Sequence, residues 1–240
     1  MTERRALVVA LALVAVACSP VPSVVATSSD AASDGTVPGP GAVSPTPVLL
    51  VPGWSDTGSA LARLRERFVE AGWPASHVVA VTFRDPTGGN YQHAGEISEA
   101  VELLLARTGA RQLDVVAHSM GGLAARVYML ENPARVRRVV FMATPHRGTT
   151  AAYFAFGEGR GEMLPGSDFL EALNASPAVP PGVEALTLRT FLDTHILPGS
   201  SATLAGIPDV SVCCPTHQGL TRDAEAFHAV LAFLLLGTVT

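Results

Sequence analysis

From Pro47 to Thr144 the chain switches repeatedly between two hydrophobic periods, and this alternation limits its fold more than any other feature. "PVLLVPG" (47–53), "HVVAVTFR" (77–84), "QLDVVAH" (112–118) and "VRRVVFMAT" (136–144) are short apolar runs. Such runs suit strands buried on both faces. Between them, Leu61, Leu64 and Phe68 lie at helical spacing in 57–71, and Ile97, Val101 and Leu104 in 95–108. A third helix is expected over 120–131. Strands joined by helical crossovers pair in parallel, so a sheet covered on both faces is predicted. The pattern breaks over 145–182 and resumes with "VEALTLRTF" (183–191), "DVSVCC" (209–214) and a helix over 222–236. The reading is an α/β fold with six mostly parallel strands and one insertion after the fourth.

At 240 residues, 48% of them hydrophobic, the chain can fill one domain core. A net charge of −5 leaves no basic field for nucleic acid. The fold is expected to begin at residue 45. "MTERRALVVALALVAVAC" opens with two arginines, continues as an apolar run from Ala6 to Ala17 and closes on small residues, the layout of an export signal over 1–17. Ala15-Val16-Ala17-Cys18 resembles the bacterial lipobox, in which the cysteine is lipidated and anchors the protein to a membrane. Ala-Val-Ala would equally suit an ordinary signal peptidase. Residues 18–44, rich in Ser, Pro, Gly and Ala, read as a flexible tether. In an oxidising compartment the adjacent Cys213 and Cys214 form a vicinal disulfide or stay as thiols. No spacing of His, Cys or acidic residues around them suggests a metal ligand set.

"VVAHSMGG" (115–122) places Ser119 between an expected strand and an expected helix, with Ala117 two before it and Gly121 two after. A serine presented for attack needs a tight strand-to-helix turn that crowds those two positions, hence the G-x-S-x-G pattern of a nucleophile elbow. A plain turn with a serine helix cap would leave the same trace.

"AHSMGG", taken with "LLVPGW", "ATPHRGT", "LDTHILP" and "THQGL" in that order, resembles bacterial lipases of the α/β-hydrolase superfamily, chiefly small ones whose elbow begins with Ala. The likeness covers about residues 45–238 and implies a chain order of Ser, acid, His. Asp193, which follows a strand and opens "DTHILP", matches the acid-bearing turn. Asp209 opens the last strand at the far end of the sheet. Asp168 and Asp114 read as caps or surface groups. His217, after the last strand and before Gln218-Gly219-Leu220, matches the base. His118 is expected to pack, His146 to be a family landmark, and His77 and His93 to be solvated loop residues. His195 lies two residues past the acid and His228 inside the last helix.

The resemblance implies an exported serine ester hydrolase, a lipase or esterase on acylglycerols, without cofactor and as a monomer. The backbone N–H groups of Trp54 and Met120 would form its oxyanion hole. "AAYFAF" and "GEGRG" make the 145–182 insertion either a lid or acyl-chain wall, or an inserted surface loop. The same triad would also serve a thioesterase or acyltransferase. A non-catalytic surface lipoprotein on this fold is the reading from a different class.

Overall fold

The structure, a computed structural model, describes residues 45–237. The export signal, the tether and Cys18 lie outside the described residues. Six strands form one sheet: β1 (Val48–Val51), β2 (Val78–Ala80), β3 (Leu113–His118), β4 (Val136–Met142), β5 (Glu184–Thr190) and β6 (Asp209–Val212). Their order is β2-β1-β3-β4-β5-β6, and every pairing is parallel rather than mostly so. The order reverses at β1, which has β2 on one side and β3 on the other. At such a switch point the loops leaving two adjacent strands diverge and open a crevice at the carboxyl edge.

Alternate side chains of every strand but β6 enter separate cores. Leu49, Val51, Val115, Ala117, Val139 and Phe141 pack against α2 (Asn90–Thr108) and α3 (Gly121–Glu131). Val48, Leu50, Val116, Val140, Met142, Leu186 and Leu188 pack against α1 (Ala62–Glu70) and α6 (Ala224–Leu236). The period-2 alternation thus fills two layers at once, which explains the absence of polar residues from the centres of β1, β3 and β4. Among the described residues no helix is long and apolar enough to cross a membrane.

β6 ends at Val212 rather than at Cys214, and two elements differ further from the sequence expectation. β2 is shorter than 77–84: past Val81, whose N–H still donates to Leu50 O (2.9 Å), the chain leaves the edge of the sheet. Helix α2 begins at Asn90 rather than near residue 95. Its first turn is specified by tertiary contacts, because the backbone N–H and Nδ2 of Asn90 both donate to Glu162 Oε2 (2.6 and 2.7 Å). His93, expected in solvent, is fully buried there, stacked on Phe83 at 3.8 Å with Nε2–H donating to Asp85 O. Just past β6, Cys213 and Cys214 are joined to each other.

Asp114 also corrects the expectation of a cap or surface group. It is fully buried at the start of β3 and accepts from Arg137 Nε and Nη2 at 3.0 and 2.5 Å. Arg137 and Arg138 both donate to Leu234 O, which fastens the end of α6 beneath the sheet. Burial pushes the Asp114 carboxyl upward, and Arg137 opposes that rise. Removing one partner of such a pair strands a buried charge. Arg137→Ala is therefore expected to lower stability by about 3 kcal/mol, and the Asp114→Leu/Arg137→Met double variant to regain most of it. Urea unfolding at neutral pH measures both.

Candidate active site

Register brings the site together at the carboxyl edge of the sheet. Val51 of β1 lies beside Ala117 of β3, so the Pro52–Ser55 loop runs alongside the turn at Ser119. Ser119 has φ 54°, in the left-handed region, where a residue with a Cβ is strained by about 1–3 kcal/mol. Its N–H donates to Met142 O at 2.8 Å, and its carbonyl accepts from Gly122 N at 3.0 Å as α3 starts. The turn is locked by missing side chains. A Cβ on Gly121 would lie 2.2 Å from Pro52 O, one on Gly122 2.0 Å from Thr144 Oγ1, and one on Gly53 2.8 Å from Ser119 Cβ.

His217 and Asp193 arrive on the loops after β6 and β5. Ser119 Oγ–H donates to His217 Nε2 at 2.9 Å, and His217 Nδ1–H donates to Asp193 Oδ2 at 2.8 Å. The tautomer follows from these partners. Asp193 Oδ1 accepts from the backbone N–H groups of His195 and Ile196 at 2.8 and 2.9 Å, so both carboxylate oxygens are engaged. Burial would raise the Asp193 carboxyl, but the hydrogen bond from His217 and the two backbone donors outweigh it and hold it below the usual carboxylate range. Asp209 sits away from this group, bonded to Arg189 and Thr187, and Asp168 starts the short helix α5 (Asp168–Ala175).

Three neighbours of His217 are given no role by the motif order. His118 Nε2–H donates to His217 O at 3.1 Å, and burial lowers the His118 pKa to about 3, so it holds the His217 loop as a neutral group. His195 stacks on His217 with ring centroids 4.8 Å apart and 19° between planes. Asp56, half-buried on the β1 loop, faces the same cavity. Asp193, His195 and His217 have potential ligand atoms within 4.8 Å of one another. As arranged, Asp193 and His217 spend those atoms on each other and on backbone donors.

The 145–182 insertion forms part of the wall. It holds a 3-10 turn (Thr150–Phe154), α4 (Glu158–Glu162) and α5. Trp54 contacts it directly: Nε1–H donates to Phe156 O at 3.0 Å and the rings meet edge-on at 4.9 Å. Thr149 Oγ1 donates to His195 O and accepts from Leu197 N, tying the insertion to the Asp193 turn. The fully buried Arg126 of α3 donates to Leu173 O, Ala178 O and Asn174 Oδ1, closing the end of α5. The resulting cavity of about 600 Å³ opens onto Ser119 and His217 and is lined by Trp54, Ala152, Phe154 and Met163 among others. Among the described residues, neither the Trp54 nor the Met120 backbone N–H has a protein acceptor.

Residues 46–208 match the family described as alpha/beta hydrolase fold. Over 54 residues the chain is 41% identical to triacylglycerol lipases of Pseudarthrobacter phenanthrenivorans and Burkholderia plantarii, a stretch that is 22% of this chain but only 17% and 15% of theirs. Among solved structures, lipase B of Aspergillus fumigatus is similar with a TM-score of 0.70 and 16% identity, over 81% of this chain and 53% of that one. The mature Bacillus licheniformis lipase BlEst2 is similar with a TM-score of 0.69 and 14% identity, over 83% and 96%. At these identities the structural likeness speaks for the fold alone.

The steric lock at the turn has a direct check. Gly122→Ala is expected to cost about 1–3 kcal/mol through overpacking against Thr144. Gly95→Ala, in the interior of α2 with open space around it, should instead gain about 0.5–1 kcal/mol. Thermal unfolding of the two variants compares them.

Proposed function

The chain belongs to the alpha/beta-hydrolase fold family, and from that premise we propose that it is a serine carboxylic-ester hydrolase of lipase or esterase type, acting on acyl esters such as acylglycerols. One observation carries the reading: the continuous Ser119–His217–Asp193 chain, at 2.9 and 2.8 Å, opens onto a cavity that has an apolar side formed by the insertion.

A serine hydroxyl is a poor nucleophile until a base takes its proton. His217 Nε2 accepts that proton as Ser119 Oγ attacks the ester carbonyl, and Asp193 stabilises the imidazolium through Nδ1–H. The oxyanion is held by the free N–H groups of Met120, at the head of α3, and Trp54. Loss of one such donor typically costs about 100- to 1000-fold. The tetrahedral intermediate collapses as His217 passes the proton to the leaving alkoxide, leaving an acyl group on Ser119. Water, deprotonated by His217, attacks the acyl carbonyl, and the second intermediate collapses as His217 returns that proton to Ser119 Oγ and the acid leaves.

The exposed Phe154, which lines the cavity, and Phe156, packed edge-on against Trp54, favour an apolar acyl group. The insertion serves as the acyl-chain wall. The enzyme acts outside the cell, a reading supported by the charged, apolar and small-residue zones of 1–17, with Cys18 as the lipid attachment.

Hydrolysis of p-nitrophenyl esters from acetate to palmitate by the full-length protein tests the proposal. Ser119→Ala and His217→Ala should each lower kcat by about 10⁴-fold or more with the fold intact. Undiminished turnover in Ser119→Ala would overturn the assignment.

A further inference from the structure

The cavity is lined unequally. Most of the apolar lining comes from the insertion, as Ala151, Ala152, Phe154, Ala155 and Met163, with Trp54 and Ile196 added by the loops after β1 and β5, while Asp56, Thr194, His195 and Gln218 come from the loops after β1, β5 and β6. Three of these polar groups gather around His217. His195 stacks on its ring, Gln218 follows it in the chain and reaches His195 Nε2 at 3.3 Å, and Asp56 interacts electrostatically with it.

A general acid must lie within hydrogen-bond reach of the oxygen it protonates, so the leaving alcohol has to sit beside His217. The acyl chain is then left with the apolar wall. Resting on the proposed ester hydrolysis, we infer that the wall beside His217 receives the alcohol half of the substrate. There Asp56 selects alcohols that keep free hydroxyls, glycerol monoesters being the simplest, over plain alkyl esters of the same acid.

Asp56 is built to be presented rather than consumed. Its own N–H donates to Gly53 O (3.2 Å) and the N–H of Ser55, at φ 59°, donates to Pro86 O (2.8 Å), which fixes the loop. Among the described residues its carboxylate takes no hydrogen bond. Burial pushes the carboxyl up, and the nearby His217 and Arg222 partly offset this. A half-buried acceptor without a donor loses water when an alkyl group covers it and gains nothing in return. A substrate hydroxyl supplies a charge-assisted hydrogen bond instead. Sites that bond a hydroxyl reject analogues lacking it far more strongly than apolar pockets sort by size.

The test compares 1-monobutanoylglycerol with propyl butanoate, which share the acyl group and carbon count and differ by two hydroxyls. Both are used below their solubility limits so that no interface forms. The full-length protein is expected to prefer the glycerol ester by roughly 10- to 100-fold in kcat/KM. Asp56→Ala should bring the ratio to within about 3-fold, and the isosteric Asp56→Asn should reduce it at least 5-fold by roughly halving the acceptors. A wild-type ratio near one, or a preference that survives both substitutions, would overturn the inference. If wild type hydrolysed neither ester, the proposed function would fall and this inference with it. A flat ratio with rapid turnover of both would remove the inference alone.

Discussion

The site depends on one strained residue. Ser119 must hold a left-handed backbone between β3 and α3, and nothing in its own side chain favours that. The surroundings impose it: Gly53 lets the β1 loop pass against the serine, Gly121 lets α3 start under Pro52 O, and Gly122 seats the helix on Thr144. The Ser119 N–H bond to Met142 O ties the turn to the neighbouring strand, so the sheet carries the strain. A parallel sheet with two filled cores is rigid enough for this, because displacing β3 would disturb both layers.

The same architecture explains why residues far apart in sequence meet. Parallel strands deliver all their carboxyl ends to one edge, so loops after β1, β3, β5 and β6 converge without long excursions. The fastening is polar and local. Asp193 is fixed by two backbone donors and His217, and His118 holds the His217 carbonyl from below. Thr149 and Arg126 bind the insertion to the Asp193 turn and to α3, so the cavity wall is anchored at both ends.

Most of the frame was legible because periodicity and motif order report on backbone and core. The strands read correctly where both faces are buried, and β2 read too long because its one-sided edge leaves the sheet while Val81 and Phe83 remain buried. Ser119, Asp193 and His217, which the structure brings into one hydrogen-bonded chain, could be grouped because each follows its own strand and matches a family motif in order. Polar residues fixed by a single distant partner could not. Asp114 needs Arg137, Asn90 needs Glu162 and His93 needs Phe83, and no local pattern records those pairings. Asp56 and His195 follow for a related reason: they line one cavity with His217, a meeting that only the assembled edge of the sheet reveals.

The central claim is that the turn at Ser119 makes its hydroxyl a nucleophile driven by His217. Incubation of the full-length protein with a fluorophosphonate, followed by peptide mass spectrometry, tests this most directly. A phosphonyl adduct on Ser119 alone is predicted, with a labelling rate that collapses in His217→Ala. Labelling of a different residue, or equal labelling of Ser119 without His217, would contradict the account.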